Sequence, residues 1–152
     1  MPFYAFSITL SAFLLFLLQP IVARQILPWF GGSAAVWTTC MMFFQGVLLA
    51  GYAYSDLLVR RFGPVAQRRA HGLLLLASLA FLPVALGDGW RPGDPERPVL
   101  AIVWLLSATV GLPYFMLSTT GPLLQAWFTR SHPDARVYRL YALSNAASLA
   151  AL

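Results

Sequence analysis

Between Asp56 and Arg69 the chain reads Asp-Leu-Leu-Val-Arg-Arg-Phe-Gly-Pro-Val-Ala-Gln-Arg-Arg, which puts four of its ten basic residues into ten positions. The stretches on either side, residues 34–59 and 72–87, are apolar enough to cross a bilayer. A polybasic connector between two such stretches marks a cytoplasmic loop, because Lys and Arg close to span ends are retained on that side. Helices satisfy their own backbone polar groups in lipid, so long apolar segments of this kind fold as membrane helices. The expected class is therefore an all-α polytopic transmembrane bundle, with its orientation set by this junction.

Composition agrees. The chain is 59% hydrophobic and 10% charged, with a mean hydropathy of +0.71. A soluble domain of this length needs more polar surface than ten basic and five acidic residues supply. The net charge of +5 would suit nucleic acid, but every basic residue is Arg and they gather in connectors. An electrostatic footprint needs a basic surface, so no nucleic-acid partner is expected. Cys40 is the only cysteine, which excludes an intrachain disulfide and a cysteine zinc site.

The spans read in order. Residues 3–23 carry no charge and would reach about 31 Å as a helix, enough for the hydrocarbon core. A cleavable signal peptide is the alternative, but the segment has no basic start and further spans follow. Arg24 is expected to end this span, with Pro28 and Gly31-Gly32 in a short connector. Ser33 is the expected N-cap of a second helix over 34–59, and a third span covers about 70–87. The connector 60–71 holds four Arg and no acid, whereas 87–98 holds two Arg against three acids. The first is placed inside and the second outside, which leaves the amino terminus cytoplasmic.

From Val99 to Phe128 the chain is apolar for longer than one span requires. Pro113 should kink it near Gly111, since it removes a donor from the Thr109 carbonyl. A fourth span is expected over 99–119. Thr120 or Gly121 then caps a new, short interfacial helix with Pro122 in its first turn. Residues 129–139 hold three Arg and one Asp and return the chain to the inside. A fifth apolar stretch, 138–152, is short of the roughly twenty residues a span needs. The expectation is four spans plus a truncated fifth, in a fragment of a longer chain.

Polar residues inside these spans are the candidate binding positions: Gln19, Gln45 and Asn145, with Arg24 at the outer interface. Pro20 frees the Phe16 carbonyl, and a break there beside the Gln19 amide would line a solute path. Interhelical packing is the plainer role for a buried amide. Arg24 can snorkel to headgroups or attract an anionic solute. The spacings Gly46/Ala50, Gly51/Ser55 and Ala146/Ala150 allow close helix approach. His71 and His132 stand in separate connectors without a second ligand, so no metal and no other cofactor is expected. No Ser–His–carboxylate grouping points to catalysis.

Several blocks carry a resemblance. Leu18-Gln-Pro-Ile-Val-Ala-Arg24, Pro28-Trp-Phe-Gly-Gly-Ser-Ala-Ala-Val-Trp37 and Gly51-Tyr-Ala-Tyr54 resemble the start of bacterial fused transporter/spermidine synthase-like proteins. So do Gly111-Leu-Pro-Tyr-Phe115, Ser118-Thr-Thr-Gly-Pro-Leu-Leu-Gln-Ala-Trp127 and Tyr138-Arg-Leu-Tyr-Ala-Leu-Ser-Asn145. The resemblance implies a membrane region preceding a soluble aminopropyltransferase-like domain that this chain lacks, so the chain itself is not expected to be an enzyme. It implies a multi-pass protein of the bacterial inner membrane, with the bilayer, the remaining helices and the soluble domain as partners.

A second likeness concerns the major-facilitator loop motif, Gly-x-x-x-Asp-Arg/Lys-x-Gly-Arg-Arg/Lys. Its counterparts here are Gly51, Asp56, Arg60, Arg61 and Gly63, but Asp56 falls five residues after Gly51 instead of four. A positive-inside connector with an incidental acid accounts for the same residues. The functional expectation is a transporter-like module, major-facilitator-like in fold, that binds or moves a small solute. The alternatives are an anchor for the soluble domain and a truncated remnant without function.

Overall fold

The computed structural model describes residues 2–84, 97–132 and 137–152. Most of the expected 87–98 connector lies outside these, as do residues 133–136 of the 129–139 connector. Among the described residues the chain is helical and contains no strand.

Helix α1 runs Pro2–Ile26. Pro2 opens it where a missing donor costs nothing. The expected break at Pro20 does not form, and the helix passes through it. Gln19, Val22, Ala23 and Ile26, all buried around the proline, clamp this stretch against its neighbours, and such packing lets membrane-type helices tolerate proline. Arg24 does not end the helix but sits in its last turn, where a cation suits the partial negative charge of the helix end. A 3₁₀ turn, Leu27–Phe30, follows. Gly31 and Gly32 then take φ of 82° and 65°, values that side-chain-bearing L-residues rarely adopt. They reverse the chain into α2, Ala34–Arg61, whose N-cap Ser33 accepts from the Val36 amide at 3.4 Å.

Only Phe62 and Gly63 separate α2 from α3, Pro64–Leu79. This corrects the expected loop over 60–71 and the span starting near residue 70. Pro64 supplies a preset φ at the first helical position, so Gln67, Arg68, Arg69 and His71 are helical. The helix also stops at Leu79, short of the expected end at 87, and residues 80–84 turn away. After Arg97 come α4, Pro98–Leu106, a π-helical turn, Ser107–Gly111, and α5, Leu112–Ser131. The widened turn sits just before Pro113 and absorbs the donor lost there. The helix expected to restart at Thr120 is instead uninterrupted through Pro122 to Ser131. Helix α6 covers Tyr138–Ala150.

Helix α5 lies at the centre against α1, α2 and α3, while α6 packs on α1 and α4 on α2. The main core joins α1, α2, α4 and α5 around Ala23, Cys40, Phe44, Leu106, Val110 and Tyr114. A smaller one, Ile8, Phe128 and Leu140, closes the end where α1 begins.

Among the described residues, three helical segments are long and apolar enough to cross a membrane: Pro2–Phe30, Ala34–Arg61 and Pro98–Ser131. Only 28–39% of their most apolar windows is buried, so most of this apolar surface faces outward. Leu73, Leu76 and Trp104 are among the outward residues, at 68%, 66% and 73% exposure. A soluble monomer rarely carries contiguous apolar surface on that scale, whereas a bilayer is compatible with it. With 16 and 13 residues, α3 and α6 are shorter than these three.

Candidate functional site

A cleft of about 720 Å³ lies between α1, α5 and α6, with Tyr52 of α2 reaching its wall. Ser11 lines it from α1, Ser118 and Gln125 from α5, and Tyr141, Asn145 and Ser148 from α6. The periodicity is helical: 118 and 125 share one face of α5, and 141, 145 and 148 share one face of α6. Three of the hydroxyls donate to carbonyls of their own helices. Ser11 Oγ reaches Ile8 at 3.0 Å, Ser118 Oγ reaches Phe115 at 2.7 Å and Ser148 Oγ reaches Ser144 at 2.9 Å. Their oxygens thus keep acceptor capacity, and the amides of Gln125 and Asn145 can donate or accept. Among the described residues, no charged side chain lines the cleft. Its chemistry is that of neutral hydrogen bonding on a largely apolar wall, the usual make-up of a small-molecule site.

Of the four expected binding positions, only Asn145 lines this cleft. Gln19 is buried, and its Nε2 donates to Tyr114 Oη at 2.7 Å, a bond that ties α1 to α5. Arg24 is exposed at the far end of α1, and Gln45 is exposed on the outer side of α2. The structure does not bring the four together. Tyr52, Gln125 and Tyr141 went unread in the sequence, although the recurrence of polar residues at 141, 145 and 148 was a usable signal.

Of the motif residues, Asp56, Arg60, Arg61 and Gly63 lie toward the end of the bundle where α1 starts, and Gly51 lies deeper, level with the cleft. Gly51 faces Ser118 across the α2–α5 crossing, where a Cβ would collide with Ser118 Oγ and come within 2.9 Å of Ser118 Cβ. Ser55 Oγ, one turn on, donates to the Gly51 carbonyl at 2.8 Å and approaches the Thr119 carbonyl at 3.4 Å. Arg60 Nε donates to Asp56 Oδ1 at 2.6 Å, with both side chains mostly in the open. Arg61 is exposed, and Gly63 is the residue just before α3.

A polar clasp beside this motif was not legible in the sequence. Gln67 is fully buried, and its Nε2 donates to the Phe62 carbonyl at 2.6 Å. Its Oε1 accepts from Trp127 Nε1 at 2.8 Å and from Arg130 Nη1 at 3.3 Å. Arg130 Nη2 donates to the Val59 carbonyl at 3.0 Å, capping one of the carbonyls that the end of α2 leaves unpaired. The clasp therefore joins α2, α3 and α5. His71, one turn beyond Gln67, packs its ring edge-on to Trp127 at 6.1 Å. Its buried Nδ1 has no hydrogen-bond partner among the described residues. No known protein family, curated protein or solved structure matches the chain.

Proposed function

We propose that the chain is a multi-pass membrane module whose α1–α5–α6 cleft receives a small, uncharged polar solute. The observation that carries this reading is the cleft itself, with about 720 Å³ of space and neutral donors and acceptors from three helices. An ammonium-bearing solute such as a polyamine would want a carboxylate side chain, and none lines the cleft among the described residues. The outward apolar surface of the long helices supports the membrane setting. In that setting the end bearing Arg60, Arg61, Arg68 and Arg69 is the cytoplasmic one, with the amino terminus on the same side. The likeness of the sequence blocks to fused transporter/spermidine synthase-like proteins supports a bacterial inner-membrane module that works beside a soluble domain. The finer arrangement within this reading is major-facilitator-like, with four spans and part of a fifth, and the all-helical fold with three membrane-length segments among the described residues supports it. The second reading, an anchor without a solute site, rests on the exposure of Arg24 and Gln45.

The test is flux into proteoliposomes carrying the chain, with radiolabelled glycerol and radiolabelled spermidine as probes. Glycerol entry above that of protein-free liposomes is expected, falling about ten-fold in the Asn145→Leu/Gln125→Leu double variant. Gln45→Leu, altered outside the cleft, should leave it unchanged. Spermidine entry that ignores the cleft variants overturns the assignment, and entry of neither probe favours the anchor.

A further inference from the structure

A second, smaller cavity of about 240 Å³ lies at the end of the bundle where α1 begins. Tyr4 of α1, Pro64 and Arg68 of α3, and Trp127, Arg130 and Ser131 of α5 line it. Two guanidinium groups therefore meet in one concavity, with no acid among the described lining residues. The Gln67 bond to Trp127 and its contact with Arg130 hold two of these side chains in place. Arg68 is differently placed. It has no hydrogen-bond, ion-pair or ring partner among the described residues, so its five donors stay available.

The first turn of α3 opens beside the same cavity, with Pro64 on the wall. The unpaired amides of a 16-residue helix add partial positive charge there. Arginine recognises phosphate oxygens through paired donors better than a point charge would. Tyr4 and Trp127 bring amphipathic rings of the kind that settle at headgroup level.

From this arrangement we infer that the cavity binds the phosphate group of an anionic phospholipid of the adjoining leaflet. Arg68 is the principal ligand and Arg130 the second. The inference rests on the membrane setting proposed above. A phospholipid fits better than free phosphate, because the aromatic walls would lie against the glycerol backbone and upper acyl chains. Basic pockets between helices on the cytoplasmic side are the usual form of such sites.

Membrane extraction at alkaline pH comes first, and release of the chain there would defeat the membrane setting rather than the site. The chain would then be purified from bilayers of mixed phosphatidylglycerol and phosphatidylcholine, and retained lipid counted by native mass spectrometry. Selective retention of phosphatidylglycerol is expected. Arg68→Gln should weaken it about ten-fold, the factor that loss of one charge-assisted hydrogen bond to the phosphate corresponds to. Arg61→Gln removes the same charge outside the cavity and should change retention little. Equal losses in the two variants would mean general attraction to a basic surface and overturn the site. Displacement of the lipid by millimolar inorganic phosphate, with phosphate bound equally well without lipid, would overturn the lipid assignment in favour of a soluble phosphate site.

Discussion

At the residue scale, the tightest constraint is the meeting of Gly51 with Ser118. Close approach of two helices is what glycine permits, and van der Waals packing is what holds helices together in lipid. Gly51→Leu must force α2 away from α5, at a cost of about 1–3 kcal/mol by analogy with overpacked cores. Gly46 stands in the same helix with nothing within 4 Å of its missing Cβ. Gly46→Ala should therefore be neutral or slightly stabilising, since it removes backbone freedom without a clash. Unfolding in increasing fractions of denaturing detergent would separate the two, and equal sensitivity would remove the crossing from the account. The Gly51/Ser55 spacing was legible as a packing signal, but its partner was not, because Ser118 arrives from 67 positions away in sequence through tertiary register. Gln19 was legible as a buried amide in the same limited way, with Tyr114 unforeseen. Gln45 and Arg24 show the converse limit. Hydropathy identifies a helix but does not fix its rotation, and rotation decides whether an amide faces a neighbour or the outside.

At the element scale, α3 depends on one side chain. Its outer face carries Leu73, Leu76 and Leu79, 57–68% exposed, so its attachment to the bundle runs through the buried face of Gln67, His71 and Ser78. Gln67→Leu leaves the Trp127 indole and part of the Arg130 guanidinium without their acceptor. The cost of orphaning such donors is about 1–3 kcal/mol. His71→Phe sits one turn along the same face but removes a nitrogen that has no partner there. It should be neutral or stabilising. Hydrogen exchange of α3 amides, compared with those of α2 in the same sample, would show the contrast. Faster exchange in both variants would mean that α3 is held by shape alone. Element existence was legible from apolar runs, and the Ser33 cap and the Gly31-Gly32 reversal from local chemistry. The start of α3 is legible in the Gly-Pro pair at 63–64, not in the charge of 60–71, because arginines are as compatible with a helix's first turns as with a connector. The expected restart at Thr120 failed for a related reason. Proline ends helices in water, but the Thr119 and Thr120 hydroxyls bond back to the Met116 carbonyl at 2.8 Å, and packing against α1 and α2 accompanies the unbroken helix.

At the scale of the whole molecule, the arginines are sorted by the fold. Among the described residues, the end where α1 starts gathers Arg60, Arg61, Arg68, Arg69, Arg130 and Arg139, while the opposite end has Arg24 and Arg97. In a bilayer that asymmetry selects one orientation, because arginines flanking spans resist translocation. The chain should insert with the arginine-rich end in the cytoplasm. Cys40 is fully buried, so a Cys40→Ala background leaves single introduced cysteines to report on sidedness. Gln25→Cys, exposed near the end of α1, should react with a membrane-impermeant maleimide in spheroplasts. Val65→Cys, 54% exposed in the first turn of α3, should react only after the membrane is opened. The decisive step is to replace Arg60, Arg61, Arg68 and Arg69 together by Gln. Two arginines then remain at each end among the described residues, and the electrostatic reason for one orientation is gone. Labelling at residue 25 should fall toward half while residue 65 becomes reactive in intact spheroplasts. If both positions keep their original pattern, the apolar segments or the order of their insertion set the topology, and the polybasic junction serves the headgroup cavity and the clasp instead.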